Sequence, residues 1–121
     1  MKTIIAGGRN YSFSEDDIAW LDAIHTNGWR ITEVVSGGAN GADLDGESWA
    51  RARGIPVKRI PADWGKFGRS AGPRRNAEMA VYADALIAFP GGRGTEDMIR
   101  RATKAGLEVC KLGKTQCNSR R

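Results

Sequence analysis

The stretch Ala85-Leu86-Ile87-Ala88-Phe89-Pro90-Gly91-Gly92-Arg93-Gly94-Thr95-Glu96-Asp97 decides the fold. Its first part is an apolar strand. Its second is a glycine-rich turn that runs straight into the helical pattern Met98-Ile99, Ala102, Ala105. A strand that ends in such a turn and feeds a helix is how α/β proteins hold phosphate. Glycines let bare backbone N–H groups approach an anion, and the helix N-terminus adds about half a positive charge. A phosphorylated small molecule is therefore the first ligand to consider.

Outward from this unit, strand and helix patterns keep alternating. Lys2–Ala6 reads as a first strand. Ser12 and Glu15 form a capping box ahead of the stripe Ile18, Leu21 and Ile24, and that helix ends at Asn27-Gly28. Ile31–Ser36 is a second strand, Asp43–Arg53 a helix stopped by Gly54, and Val57–Ile60 a third strand. Pro73 suits the first helical position before Arg74–Ala83. The strand Asp84–Phe89, the helix Thr95–Ala105 and a last strand Glu108–Leu112 follow. Five strands separated by four helices predict an α/β, Rossmann-like three-layer sandwich with a mainly parallel five-stranded sheet. Nothing divides residues 1–112, so one domain is expected there, with a basic, flexible tail over 113–121.

At 121 residues the chain is long enough for one buried core. It has no apolar run near the ~20 residues that span a bilayer, and its apolar start is too short for a signal-peptide core. No membrane association and a cytoplasmic location are expected. Cys110 and Cys117 match no usual zinc spacing, and no histidine lies near to complete a site. They read as structural or incidental; no metal and no cofactor is expected. The formal net charge of +5 suits an anionic partner, although Lys111, Lys114, Arg120 and Arg121 place much of the excess in the tail. The lone His25 closes the first helix, where a cation is tolerated, and takes no catalytic role.

In an open parallel sheet, ligands bind beyond the carboxyl ends of the strands, where strand order reverses. The unusual loops all fall on that edge. They are Gly7-Gly8-Arg9-Asn10-Tyr11 after the first strand, Ser36-Gly37-Gly38-Ala39-Asn40-Gly41-Ala42-Asp43 after the second, 61–72 after the third, and the opening turn after the fourth. Turn geometry alone explains any single glycine pair; three pairs on one edge favour a pocket. Arg9 and Arg93 add cations that can clamp phosphate. Residues 61–72 read as a long loop without regular structure, a candidate lid, in which Trp64 either stacks a nucleobase or pins the loop. Glu96 and Asp97 are either ordinary first-turn acids or partners for a ribose hydroxyl.

The combination of GGRNY (7–11), SGGANGAD (36–43), GPRRNAEM (72–79) and ADALIAFPGGRGT (83–95) resembles the SLOG superfamily of Rossmann-like proteins, in its small, single-domain, YspA-like branch. The resemblance runs from Ile4 to Val109. It extends to the lysine decarboxylase-like group of cytokinin-activating phosphoribohydrolases, which carry RKxxM followed by PGGxGTxxE. Arg75-Asn76-Ala77-Glu78-Met79 matches the first motif with Asn76 in place of lysine, and Pro90, Gly91, Gly92, Arg93, Gly94 and Thr95 match the start of the second. That group's catalytic glutamate falls on Met98, whose thioether donates no proton.

The resemblance implies a nucleotide or nucleotide-derived ligand such as an ADP-ribose-like molecule. Gly7, Gly8, Arg9, Ser36, Gly37, Gly38, Gly41, Asp43, Trp64, Arg75, Asn76, Pro90, Gly91, Gly92, Arg93, Gly94, Thr95 and Glu96 are its candidate contacts. The alternative is a nucleotide N-glycoside hydrolase. Arg75 and Asp97 are its catalytic candidates, and Asp43, Glu78 and Glu96 are the other available carboxylates. Single-stranded nucleic acid, held by Arg69, Arg74, Arg75 and the tail with Trp64 or Phe67 stacking, ranks third, because the cations are scattered among acids. Relatives pair, so a homodimer or higher homo-oligomer is expected, with Trp20, Trp29 and Trp49 serving either the core or a partner.

Overall fold

The computed structural model describes residues 1–112; the expected tail, with Cys117, lies outside them. The elements in chain order are β1 (Lys2–Ala6), α1 (Glu15–Ile24), β2 (Glu33–Ser36), α2 (Ala42–Ala52), β3 (Val57–Arg59), α3 (Trp64–Phe67), α4 (Ala71–Tyr82), β4 (Ala85–Ala88), α5 (Arg93–Lys104) and β5 (Glu108–Lys111). One sheet joins the strands in the order β3-β2-β1-β4-β5, and every pairing is parallel. The order reverses between β1 and β4, so the loops that follow these two strands flank the switch point.

Side chains alternate across a strand, and each central strand splits its apolar residues between two cores. Ile4, Val35 and Leu86 face one cluster with Met79, Met98 and Ala102 of α4 and α5. Ile5, Val34 and Ile87 face the other with Leu21, Trp49 and Ala50 of α1 and α2. These two layers of helices complete the Rossmann-like sandwich. Trp49 is buried in the second core, and Trp20 and Trp29 pack against it, so all three tryptophans contribute to the protein's own core.

Three local expectations change. The capping box of α1 is Ser14 with Asp17, not Ser12 with Glu15: Ser14 Oγ accepts from the Asp17 amide, and the Asp17 carboxylate accepts from the Ser14 amide. Asp17 prevails because the Tyr11 hydroxyl also donates to it, at 2.7 Å. The α1 helix then widens into a π-type turn over His25–Trp29, where His25 Nδ1 accepts the Ile31 amide at 3.0 Å. The third loop is not irregular: α3 and a 3-10 turn at Gly68–Ser70 fill it, with Asp63 capping α3 through the Lys66 amide. Consequently α4 starts at Ala71, and Pro73 lies third in its first turn, where no intrahelical amide is needed.

Candidate functional site

The β4–α5 connection is built by close backbone approach. Phe89 is buried and packs against Phe13, with ring centroids 4.3 Å apart. The next residue, Pro90, accepts the Gly8 amide at 2.8 Å. A Cβ on Gly91 would lie 2.7 Å from the Gly8 nitrogen and nearer still to Thr95 Oγ1. Gly7 is equally confined: its Cβ would meet Ala42 Cβ at 2.7 Å and Phe89 Cβ at 2.9 Å. Gly41, with φ +79°, has the carbonyls of Gly8 and Arg9 where a side chain would go, and the Ala42 amide donates to the Gly8 carbonyl at 3.1 Å. The loops after β1, β2 and β4 are thus stitched together main chain to main chain. Gly7, Gly41 and Gly91 are small because the loops touch.

Gly92 and Gly94 are different. A Cβ on either would meet nothing within 4 Å. Gly92 is the N-cap of α5, and no side chain caps that terminus. The first-turn acid Glu96 is exposed. The other acid, Asp97, is bound elsewhere: Asn76 Nδ2 donates to it at 2.9 Å, Arg101 Nε at 2.9 Å and Arg100 at 2.5 Å. Burial alone would raise its pKa, but Asn76 and Arg101 together outweigh burial and hold it below the ordinary carboxylate value. Asn76 also donates to the Gly94 carbonyl at 3.3 Å, tying α4 to the start of α5.

The loop after β2 is held from both sides. Arg75 Nη1 donates to the Gly37 carbonyl at 2.8 Å, and Arg75 Nε donates to Asn76 Oδ1 at 3.1 Å. Gly38, at φ +75°, turns the chain and donates its amide to Ser36 Oγ. Ser36 in turn donates to Glu47 at 2.6 Å. Glu47 is fully buried and receives two hydrogen bonds from Arg59 and one from Arg51. Its burial favours the neutral acid, yet the Arg59 and Ser36 bonds prevail and lower its pKa. The Ser36 hydroxyl therefore holds the loop from inside the protein.

Asp43, in the first turn of α2, is only 8% exposed. Burial pushes its carboxyl up to about 6, against the downward pull of the Ala39 amide and of Arg75.

These loops surround one open groove of about 1170 Å³. Gly7, Gly8, Arg9, Gly37, Gly38, Asp43, Trp64, Arg75, Asn76, Gly92, Arg93, Gly94, Thr95, Glu96 and Asp97 line it. Pro90, Gly91 and Gly41 lie in the seam behind it, and Glu78 is exposed on α4. Sequence reasoning missed Asn40, Met79 and Arg100, which also line the groove. Arg100 was detectable: with Arg93 and Asp97 it completes an i, i+4, i+7 face of α5. Trp64, 52% exposed, stands at the rim with its ring edge over Gly72. Met98 is buried in the core. Arg74 stacks on Phe67 beyond the groove, 4.3 Å from the ring centre. Among the described residues, no helix is long and apolar enough to cross a membrane, and no His, Cys, Asp or Glu cluster could hold a metal ion.

The sequence matches the YspA, cpYpsA-related SLOG family over residues 1–67, from β1 through α3. It is 41% identical over 103 residues to the gene 61 protein of Mycobacterium phage D29, covering 78% of this chain and 82% of that protein. It is 32% identical over 88 residues to a probable cytokinin riboside 5′-monophosphate phosphoribohydrolase of Oryza sativa subsp. japonica. That alignment takes in 72% of this chain but only 30% of the rice protein. No solved structure matches. With the family match over more than half its length and 82% of the phage relative covered, the chain belongs to the YspA, cpYpsA-related SLOG family.

Proposed function

We propose that this protein binds a nucleotide or nucleotide-derived phosphorylated ligand in the groove, with a phosphate at the start of α5. One observation carries the reading: the N-terminus of α5 has no side-chain cap, and its open glycines, Gly92 and Gly94, adjoin a groove lined by Arg9, Arg75, Arg93 and Arg100. Free first-turn amides, a helix dipole and planar guanidinium groups are complementary to a phosphate dianion. The family and the phosphoribohydrolase relative support a nucleotide-type molecule. Binding is favoured over hydrolysis because the Met98 thioether has no acidic proton to donate and Asp97 is engaged by Asn76, Arg100 and Arg101.

Thermal melts and calorimetry with AMP, ADP-ribose and inorganic phosphate test the reading. A ligand at 100 times its dissociation constant should stabilise the fold by about 2.7 kcal/mol. An Arg93→Ala variant should bind more weakly. If none of the three shifts the melt, or Arg93→Ala binds them as the wild type does, the α5 terminus is not the phosphate site.

A further inference from the structure

Asp43 is a carboxyl in a groove otherwise rich in cations, and nothing in the phosphate reading uses it. It is more than nine-tenths buried, yet it lines the groove. Oδ2 accepts the Ala39 amide at 3.2 Å, and no described residue donates to Oδ1. Arg75 of α4 faces it across Gly37; Glu47 lies one turn on in α2, engaged by Arg59 of β3 and by Arg51; Arg9, from the loop after β1, is on the groove rim. No buried side-chain oxygen among the described residues lacks a partner, so Oδ1 opens to the groove, and a ligand that covers it must replace its water with a hydrogen-bond donor. A phosphate dianion supplies none and would be repelled, so the part of a ligand that meets Asp43 is neutral and carries O–H or N–H.

Topology says which part that is. The start of α5 follows β4, Asp43 follows β2, and Trp64 follows β3, on a sheet ordered β3-β2-β1-β4. Two strand steps separate the β4 and β2 loops, about 10 Å at the usual strand spacing. That is the reach of a pentose 5-phosphate with a hydrogen bond at either end. One step further, an exposed tryptophan stands at the rim. Anion site, carboxylate acceptor and aromatic plate thus follow one another in the order phosphate, sugar, base.

We propose that Asp43 reads the sugar: its Oδ1 accepts a hydrogen bond from a ring hydroxyl of a glycosyl phosphate whose phosphate lies at the start of α5. The proposal rests on the phosphate reading above and restricts the ligand class to sugar phosphates with a free hydroxyl on the ring. Because the free carboxyl titrates at about 6 and the ionised form is the stronger acceptor, affinity falls as pH drops below that value.

Calorimetry with AMP and its 2′-deoxy and 3′-deoxy analogues tests this on the full chain. One of the deoxy analogues should bind about tenfold more weakly than AMP. Asp43→Asn should lose a similar factor for AMP and little more for that analogue. ADP-ribose, whose pyrophosphate does not titrate in this range, should bind the wild type about tenfold more weakly at pH 5 than at pH 7.5, with the pH dependence abolished in Asp43→Asn. If AMP binds but both deoxy analogues bind equally well, Asp43 does not read the sugar and the phosphate reading stands. If ADP-ribose binds with no pH dependence, the proposal is likewise overturned. If no probe binds at all, both readings fail together.

Discussion

Replacing Asp43 by asparagine should make the protein more stable at neutral pH, and the gain should disappear in acid. The folded carboxyl titrates at about 6, against an ordinary value of 3.8, because burial penalises its charged form. A tenfold change in an ionisation constant corresponds to about 1.4 kcal/mol, so keeping Asp43 ionised above pH 6 costs the fold about 3 kcal/mol at most. Between pH 3.8 and 6 the folded protein binds more protons than the unfolded chain, so this group lowers stability as pH rises through that window. Asparagine removes the charge and keeps an oxygen for the Ala39 amide, but its NH₂ must find an acceptor. A net gain of about 1–3 kcal/mol at pH 7.5 follows, and a rise in Tm of roughly 4–10 °C for a chain of this size. Paired urea melts of wild type and variant at pH 7.5, 6, 5 and 4 provide the assay. The difference should be full at pH 7.5 and close to zero at pH 4. A variant less stable at pH 7.5, or an advantage that does not change with pH, would refute the reasoning. A stabilising substitution that weakens ligand binding would mark Asp43 as kept at a cost to the fold.

The glycines of the β4–α5 turn should separate by role: Gly91→Ala, which forces a Cβ against Thr95 and Gly8, should cost about 2–3 kcal/mol in urea melts. Gly94→Ala, facing open space within α5, should leave stability equal or up to about 1 kcal/mol higher, while weakening AMP in calorimetry. Glu47→Gln should show the opposite pH pattern to Asp43→Asn. Glu47 is held below its ordinary pKa, so it contributes stability above that value and loses it as pH falls; the variant should be less stable at pH 7.5 and equal to wild type in acid melts. Trp64→Ala should lower stability by about 1–2 kcal/mol, since nearly half the residue is buried, and should weaken AMP by about 1–3 kcal/mol if the ring stacks a base.

The sheet was legible because its signal is local. Ile4-Ile5, Val34-Val35 and Leu86-Ile87 are pairs whose neighbours must point to opposite faces, and only a sheet covered on both sides accommodates that. Element ends were less so. Ser12 and Ser14 offer the same chemistry to a helix start, and the choice depends on Tyr11, whose hydroxyl also binds Asp17. The interval 61–72 hid its two short helical turns because Gly65, Gly68 and Gly72 interrupt any apolar period. In the groove, the placement of Arg9 and Arg93 was readable from loop position, and that of Arg75, on α4, from the motif Arg75-Asn76-Ala77-Glu78-Met79. The division of labour among the glycines was not. Gly91 and Gly94 are three residues apart and identical in type; only the arrival of the β1 loop beside one of them sets them apart.

That meeting of loops also bears on how the site can change. Where Gly41 and Gly91 press against neighbouring main chain and Gly7 against Ala42 and Phe89, almost any added atom lifts one loop off another, so variation there is closed to the molecule. Arg9, Asn40, Trp64 and Arg93 project from the same rim with room around them. A population of such proteins could exchange these four for other side chains and acquire new ligands on a frame that stays put.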